Sequence, residues 1–359
     1  MGVRGRLTYT HAMKFIYFTD IHLCEGHDSR LGLERCLDSM LGHDPELLIC
    51  GGDLGITPEA VTLYGELTQD ITVPILLSNG NHEMCSGYLP RDQAGTIHSS
   101  RDIDGVHFVI LDVVHYFEPT EAHRWNWHAL ADDRLLRWLE ADLAAVDRQT
   151  PIVLASHVPV STTFPRRLGQ AGLGQAPGMD FPTNEIANAD RILDLLKPFA
   201  HVATLHGHDH ENCRHYVEDI EVMTTAAVAG NWWHNGLDSR CGWGREPQGY
   251  RLVEVAADGS MVSRYIANIP EQDEPAEAFR DAKSGRAFVN VYDASPRTVV
   301  EVEDIGPMDA IDPQDPSSAG LATHLYELPE GFDNQRLPLH ISYEDGRVED
   351  LVVTVESPA

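Results

Sequence analysis

The sequence predicts an α/β unit followed by a small all-β unit, and three observations carry that prediction. Five short apolar runs each end in polar residues of the kinds that bind metals. Amphipathic helical stretches lie between several of them. Beyond Tyr250 the helical pattern stops and period-two runs take over. A length of 359 residues suits two domains at roughly 100–200 residues each.

The runs come in order. Lys14–Thr19 ends in Asp20-Ile21-His22, and Glu46–Cys50 ends in Gly51-Gly52-Asp53. Pro74–Ser78 ends in Asn79-Gly80-Asn81-His82-Glu83, and Pro151–Ser156 ends in His157. Val202–His206 ends in Gly207-His208-Asp209-His210. Short apolar runs with such punctuation read as buried strands, and strands buried on both faces need helices outside them. Val106–Asp112 reads as a further strand. Helices are expected at Ser29–Leu41, where Gly42 stops the pattern, at Asp133–Val146, and at Asp190–Leu196 before Pro198.

Tyr250–Val255 and Met261–Ile266, joined through Asp258-Gly259, read as a hairpin. Residues 271–285 are acidic, contain Pro275 and Gly285, and read as a linker. Ala287–Tyr292, Thr298–Val302, His324–Leu328, Leu339–Tyr343 and Leu351–Val355 alternate apolar and polar, which predicts an all-β sandwich over 286–359. Such a unit has its own core and is expected to supply no metal ligand. Residues 1–13 read as an extension with little apolar material, which leaves 14–270 as the catalytic unit.

The net charge is −30, from 26 basic and 56 acidic residues. That surface repels a polyanion, so no duplex nucleic-acid partner is expected, while a small phosphate ester can still enter a locally positive site. Only Lys14, Lys197 and Lys283 are lysines, a pattern that suits a salty cytosol or an arginine-favouring genome. No stretch reaches the ~18 apolar residues of a membrane span, and no signal peptide is seen, so a cytoplasmic location without a membrane partner is expected. The six cysteines form no C-x-x-C pair and read as free thiols.

In an open α/β sheet, sites form beyond the carboxyl ends of the strands. All five runs carry their polar residues there, so two aspartates, an asparagine and several histidines converge on one crevice. This oxygen and nitrogen mixture without thiolate suits hard and borderline cations. A pair of cations about 3.5–4 Å apart needs a shared carboxylate and can clamp both oxygens of a phosphoester displacement.

Asp20-Ile21-His22, Gly52-Asp53, Gly80-Asn81-His82-Glu83, His157 and Gly207-His208-Asp209-His210 resemble the five-block signature of calcineurin-like metallophosphoesterases. The order matches, with gaps of 33, 28, 76 and 51 residues between Asp20, Asp53, Asn81, His157 and His208. The resemblance covers about residues 14–266. Its expected fold is a four-layer α/β architecture, a two-sheet β-sandwich flanked by helices. It implies a dinuclear phosphoester hydrolase whose bridging hydroxide attacks phosphorus in line. Asp20, His22 and His210 would hold one metal, Asn81, His157 and His208 the other, and Asp53 would bridge. His82 would be a general acid or a transition-state hydrogen-bond donor, and Glu83 would support the ligands. The metals would be manganese, iron or zinc.

A small or nucleotide-type phosphodiester is the favoured substrate, because the loops at 84–105 and 160–188 are long enough to wall a substrate. A phosphomonoesterase with the same site, a nuclease of the same superfamily and a non-catalytic scaffold are the alternatives. Ala229–Trp233, Gly249-Tyr250 and Phe288–Asp293 resemble more loosely a bacterial branch with a β-rich carboxy-terminal domain. Arg166 and Arg167 can grip a phosphate, or form a solvated charge pair on a loop. The other histidines, among them His98, His107, His115, His128, His206 and His215, read as surface or satisfied core residues. Trp125, Trp127, Trp232, Trp233 and Trp243 read first as packing residues.

Overall fold

The computed structural model describes residues 11–24, 29–85, 98–116, 127–163, 184–228, 240–241, 246–268, 274–281, 284–311 and 324–356. The chain opens with β1 (His11–Phe18), α1 (Ser29–Leu41), β2 (Leu47–Cys50), α2 (Pro58–Thr68), β3 (Ile75–Leu77) and the short α3 (Asn81–Cys85). Next come β4 (Ser99–Ile103), β5 (Val106–Leu111), β6 (Val114–Tyr116), β7 (Trp127–Ala129), α4 (Asp133–Leu143), β8 (Ile152–Ser156), α5 (Ala189–Leu196) and β9 (Val202–His206). Then follow β10 (Cys213–Val217), β11 (Ile220–Thr224), β12 (Arg240–Cys241), β13 (Glu246–Pro247), β14 (Gly249–Ala256) and β15 (Met261–Ala267). The carboxy-terminal unit holds β16 (Ala276–Arg280), β17 (Ala287–Val291), β18 (Val299–Val302), β19 (Gly306–Met308), β20 (Leu325–Glu327), β21 (Arg336–Ser342) and β22 (Val348–Glu356).

Two sheets stack, in the orders β15-β14-β1-β2-β3 and β10-β11-β9-β8-β5-β4. Strand alternation makes the layers. Phe15 and Tyr17 of β1 pack inward against Phe108, Val153 and Leu205 of the other sheet, while Ile16 and Phe18 face α1 and α2. On the far side, Val109, Leu111 and Leu154 pack against Leu135, Leu136 and Leu139 of α4 and Ile192 of α5. This is the four-layer architecture the resemblance implies. Asp132 caps α4 by accepting the N–H groups of Arg134 and Leu135. Strands β1, β2 and β3 are parallel, and so are β5, β8, β9 and β11. Their carboxyl ends therefore meet at one edge of the sandwich.

Two expectations need correction, and one helix was not expected. The first strand begins at His11, and Met13, fully buried, pairs with Val255; the extension therefore does not reach 13. The helix α2 was not expected, although Ala60, Leu63, Tyr64 and Leu67 fall at helical spacing and pack on the core beside β1 and α1. The segment 271–285 is no simple linker, because β16 pairs with β17 and with β22. Buried Ala276 and Ala278 alternate there with half-buried Glu277, a period-two pattern hidden by acidic flanks.

The carboxy-terminal unit is all-β. Its seven strands follow the order β19-β18-β21-β22-β16-β17-β20, and a bridge between Ala310 and Tyr326 brings the two edges together, nearly closing a barrel. Val289, Val291, Val300, Leu337, Leu339 and Ile341 fill it. Among the described residues, no helix is long and apolar enough to cross a membrane.

Candidate metal centre

Each block follows a strand end, and the chain turns there through unusual backbone angles. Among the described residues, five of the eleven non-glycine positions with positive φ are Asp20, His22, Asp53, His208 and His210. Left-handed backbone costs a side-chain-bearing residue of order 1–3 kcal/mol and persists only where the surroundings enforce it. Backbone bonds enforce it here. The N–H groups of Ile21 and His22 both donate to the Asp53 carbonyl, at 2.9 and 3.0 Å, and the Asp20 N–H donates to that of Gly52 at 3.1 Å. The first and second blocks are thus stitched together before any side chain acts.

The glycines clear space for carboxylates. A Cβ on Gly80 would lie 2.0 Å from Asp53 Oδ1, and one on Gly207 would lie 2.2 Å from Asp20 Oδ2. Gly52 serves the turn itself, with φ of 100°.

Both aspartates are buried and accept backbone N–H groups. Asp20 Oδ2 accepts from Thr19 Oγ1 at 2.8 Å and from the His208 N–H at 3.1 Å. Asp53 Oδ1 accepts the His82 N–H at 2.8 Å. Their other oxygens meet imidazoles. Asp20 Oδ1 lies 3.2 Å from His210 Nε2 and 3.8 Å from His22 Nε2. Asp53 Oδ2 lies 3.2 Å from His157 Nε2, 3.8 Å from His82 Nε2 and 3.9 Å from His22 Nε2. His22 Nε2 and His210 Nε2 are only 3.0 Å apart.

Three trios have ligand atoms within 4.8 Å of one another: Asp20, His22 and His210; His22, Asp53 and His82; Asp20, Asp53 and His157. Asn81 joins the last through Oδ1, 3.1 Å from His157 Nε2. His157 donates from Nδ1 to the Gly51 carbonyl at 3.0 Å, which aims Nε2 at Asp53 and Asn81. His208 is in none of the trios; its ring sits 5.3 Å from that of His157 and 5.4 Å from that of Trp127. His82 lies at ligand distance from Asp53, with its ring against His22 at 4.5 Å.

The charges fit a cation site. Burial opposes ionisation of Asp20, but the His210 and His157 imidazoles outweigh it and hold the carboxyl well below its usual range. Burial likewise opposes ionisation of Asp53, and His157 and His82 overcome it. Burial would lower His157, yet Asp53 and Asp20 lift it to about 9. Desolvation pushes His208 down to about 3. His157, lifted by both carboxylates, is the imidazole that carries a proton between them, while burial lowers His210, and a cation can take the place of that proton. Glu83 accepts N–H groups from Asp53 at 3.1 Å, Gly80 at 2.6 Å and Leu54. Burial and the Asp53 charge raise it to about 7.

Arg166 and Arg167 lie outside the described residues, as do Trp125, Trp232, Trp233 and Trp243. The sequence reading missed two supports. Thr19 holds Asp20. Asp209 is buried and accepts from Thr162 Oγ1 at 2.5 Å and Asn184 Nδ2 at 3.0 Å, tying the last block to the segment after His157. Their position beside ligands was the one available signal.

The calcineurin-like phosphoesterase model matches residues 13–212. A search of curated proteins found no match. Among solved structures, a dimetal phosphatase from Danio rerio is similar, at 14% identity and a TM-score of 0.53, over 72% of this chain and 97% of that one. GAP50, described as the anchor in the inner membrane complex of Plasmodium, gives 12% identity and a TM-score of 0.48 over 73% and 86%. The phosphopantetheinyl hydrolase of Mycobacterium tuberculosis gives 12% and 0.41 over 61% and 91%. Since the family model spans more than half of the chain and takes in all five blocks, the chain belongs to the calcineurin-like phosphoesterase family.

Proposed function

We propose that this chain is a dinuclear metal-dependent phosphoester hydrolase, acting as a phosphodiesterase on a small or nucleotide-type substrate. The observation that carries the reading is the place of Asp53 Oδ2, between His22 of one ligand set and His157 of the other. In this reading Asp20, His22 and His210 hold one cation, Asn81, His157 and His208 the other, and Asp53 is shared. When bound, such a pair supplies Lewis acidity, offsetting phosphoryl charge and acidifying water. The donor set, free of thiolate, admits manganese, iron or zinc.

The protein's own groups orient and protonate. The His82 N–H is tied to Asp53 Oδ1, which fixes its backbone beside the ligands. Its imidazole is the group that hands a proton to the departing oxygen. Glu83 holds the turn by accepting the N–H groups of Asp53, Leu54 and Gly80. The length of chain between α3 and β4, and between the fourth block and α5, favours a diester over a monoester, and the charge of −30 disfavours a duplex.

The test is a panel of alkyl and aryl phosphodiesters and phosphomonoesters given to the metal-loaded protein. A higher kcat/KM on diesters is expected. Preference for monoesters overturns the diester assignment. No hydrolysis of any ester with two metals bound favours the scaffold reading.

A further inference from the structure

The carboxy-terminal unit adds no described residue to the three ligand trios. It does grip the chain just after the last block. His210 is followed by Glu211 and Asn212, and Asn212 is fully buried. The Asn212 side chain donates from Nδ2 to the Tyr292 carbonyl and accepts at Oδ1 from Arg251 Nη2. Tyr292 and Asp293 directly follow β17 in the carboxy-terminal unit.

Arg251, in β14, is also fully buried. It donates to Asp293 Oδ1 at 3.1 Å, to Ser263 Oγ at 3.2 Å and to the Thr224 carbonyl at 3.2 Å. Asp293 accepts the Tyr265 N–H as well, at 2.9 and 2.8 Å to its two oxygens. Arg347 Nη1 stands 3.6 Å from its other oxygen, and Arg214 Nη1 donates to its carbonyl at 3.1 Å. Asn212, Arg251, Asp293 and Tyr292 thus close a ring, two members from each unit. Removing one partner of a buried ion pair leaves a buried charge uncompensated. A guanidinium left without its counter-charge shifts among its remaining acceptors, and Asn212, which is one of them, shifts with it.

We propose that Asp293 is a positioning residue for the metal centre: through Arg251 and Asn212 it fixes the segment that carries His208 and His210. The proposal rests on the dinuclear reading above. It goes beyond the expectation that the β unit supplies no metal ligand.

The test uses full-length protein loaded with Mn²⁺, read by titration and by the electron paramagnetic resonance signal of a spin-coupled pair. Asp293→Asn is expected to weaken one Mn²⁺ by about tenfold or more, the scale for a lost support of a metal ligand. The coupled signal should vanish at a Mn²⁺ concentration that saturates the unaltered protein. Leu339→Ala hollows the β core and removes no member of the ring; it should lower the thermal midpoint and leave affinity and signal unchanged. If Asp293→Asn does not fold, Asn212→Ala carries the test with the same expected loss. Unaltered affinity and signal in a folded ring variant overturn the proposal. So does weakening in both Asp293→Asn and Leu339→Ala in proportion to lost stability. Failure of the unaltered protein to bind a Mn²⁺ pair overturns the dinuclear reading itself, and this proposal with it.

Discussion

The two ends of the β-sandwich both carry clusters of histidine and aspartate, and they differ in what the rings are given to do. His107 lies at the start of β5, paired with Ile152, and His157 follows the end of the parallel strand β8, so the two lie at opposite ends of the strands. The buried His107 meets Asp102 Oδ1 at Nδ1, 2.7 Å away, and Asp142 Oδ2 at Nε2, 2.9 Å away. Both ring nitrogens are engaged by carboxylates, and Asp102 is 80% exposed. At the other end, the Nε2 atoms of His22, His157 and His210 turn toward two buried carboxylates and one another. Five residues there have left-handed backbone; Asp102, His107 and Asp142 do not. A metal centre is marked by convergence and by enforced backbone strain, and residue types alone do not distinguish it from a satisfied polar cluster.

Four substitutions or conditions probe this contrast, from the largest effect to the smallest. His82→Ala should keep both metals and lose roughly 10²–10⁴-fold in rate on an alkyl ester, the range for acid–base catalysis. The loss should be smaller on an aryl ester, whose leaving group needs little protonation. Equal losses on the two esters would reassign His82 to stabilising the phosphoryl oxygens, and loss of metal would make it a ligand. Glu83→Gln puts an amide N–H against N–H donors and should cost about 10–100-fold in metal affinity. Unchanged affinity by titration would show that the turn holds without it.

The third is a pH effect at the junction between the units. Burial would lower His324, but Glu246 lifts it to about 9. A raised folded-state pKa stabilises fully below the unfolded value of ~6.5 and fades as pH climbs through about 9. Thermal midpoints of the unaltered protein should therefore fall over that window more than those of His324→Gln. Parallel curves would remove His324 as the cause. The smallest effect belongs to His107→Gln, expected to leave metal content and rate unchanged at a stability cost of about 1–3 kcal/mol. A fall in metal content there would erase the contrast between the two ends.

Much of this was legible in the sequence, for physical reasons that also set its limits. Buried strands announce themselves as apolar runs, so the five blocks and the helices α1, α4 and α5 could be placed from pattern alone. The strand β16 could not, because its buried Ala276 and Ala278 lie among acidic residues, and α2 was missed although Ala60, Leu63, Tyr64 and Leu67 are spaced for a helix. The hairpin of β10 and β11 went unread; Arg214 and His215 are buried in it and break its apolar pattern. Within the site, the blocks name the residues, but the sequence does not show that Asp20, His22, Asp53, His208 and His210 are left-handed. Nor does it show that Asp293, 83 residues beyond His210, joins the ring around Asn212.

The central claim is that Asp53 is shared by two cations, and metal stoichiometry tests it most directly. Elemental analysis of the purified, metal-loaded protein should give two metals per chain. Asp53→Asn removes one negative charge from between two positive ones and should lose both metals together, with activity. Two metals retained per chain in that variant would contradict the shared role of Asp53.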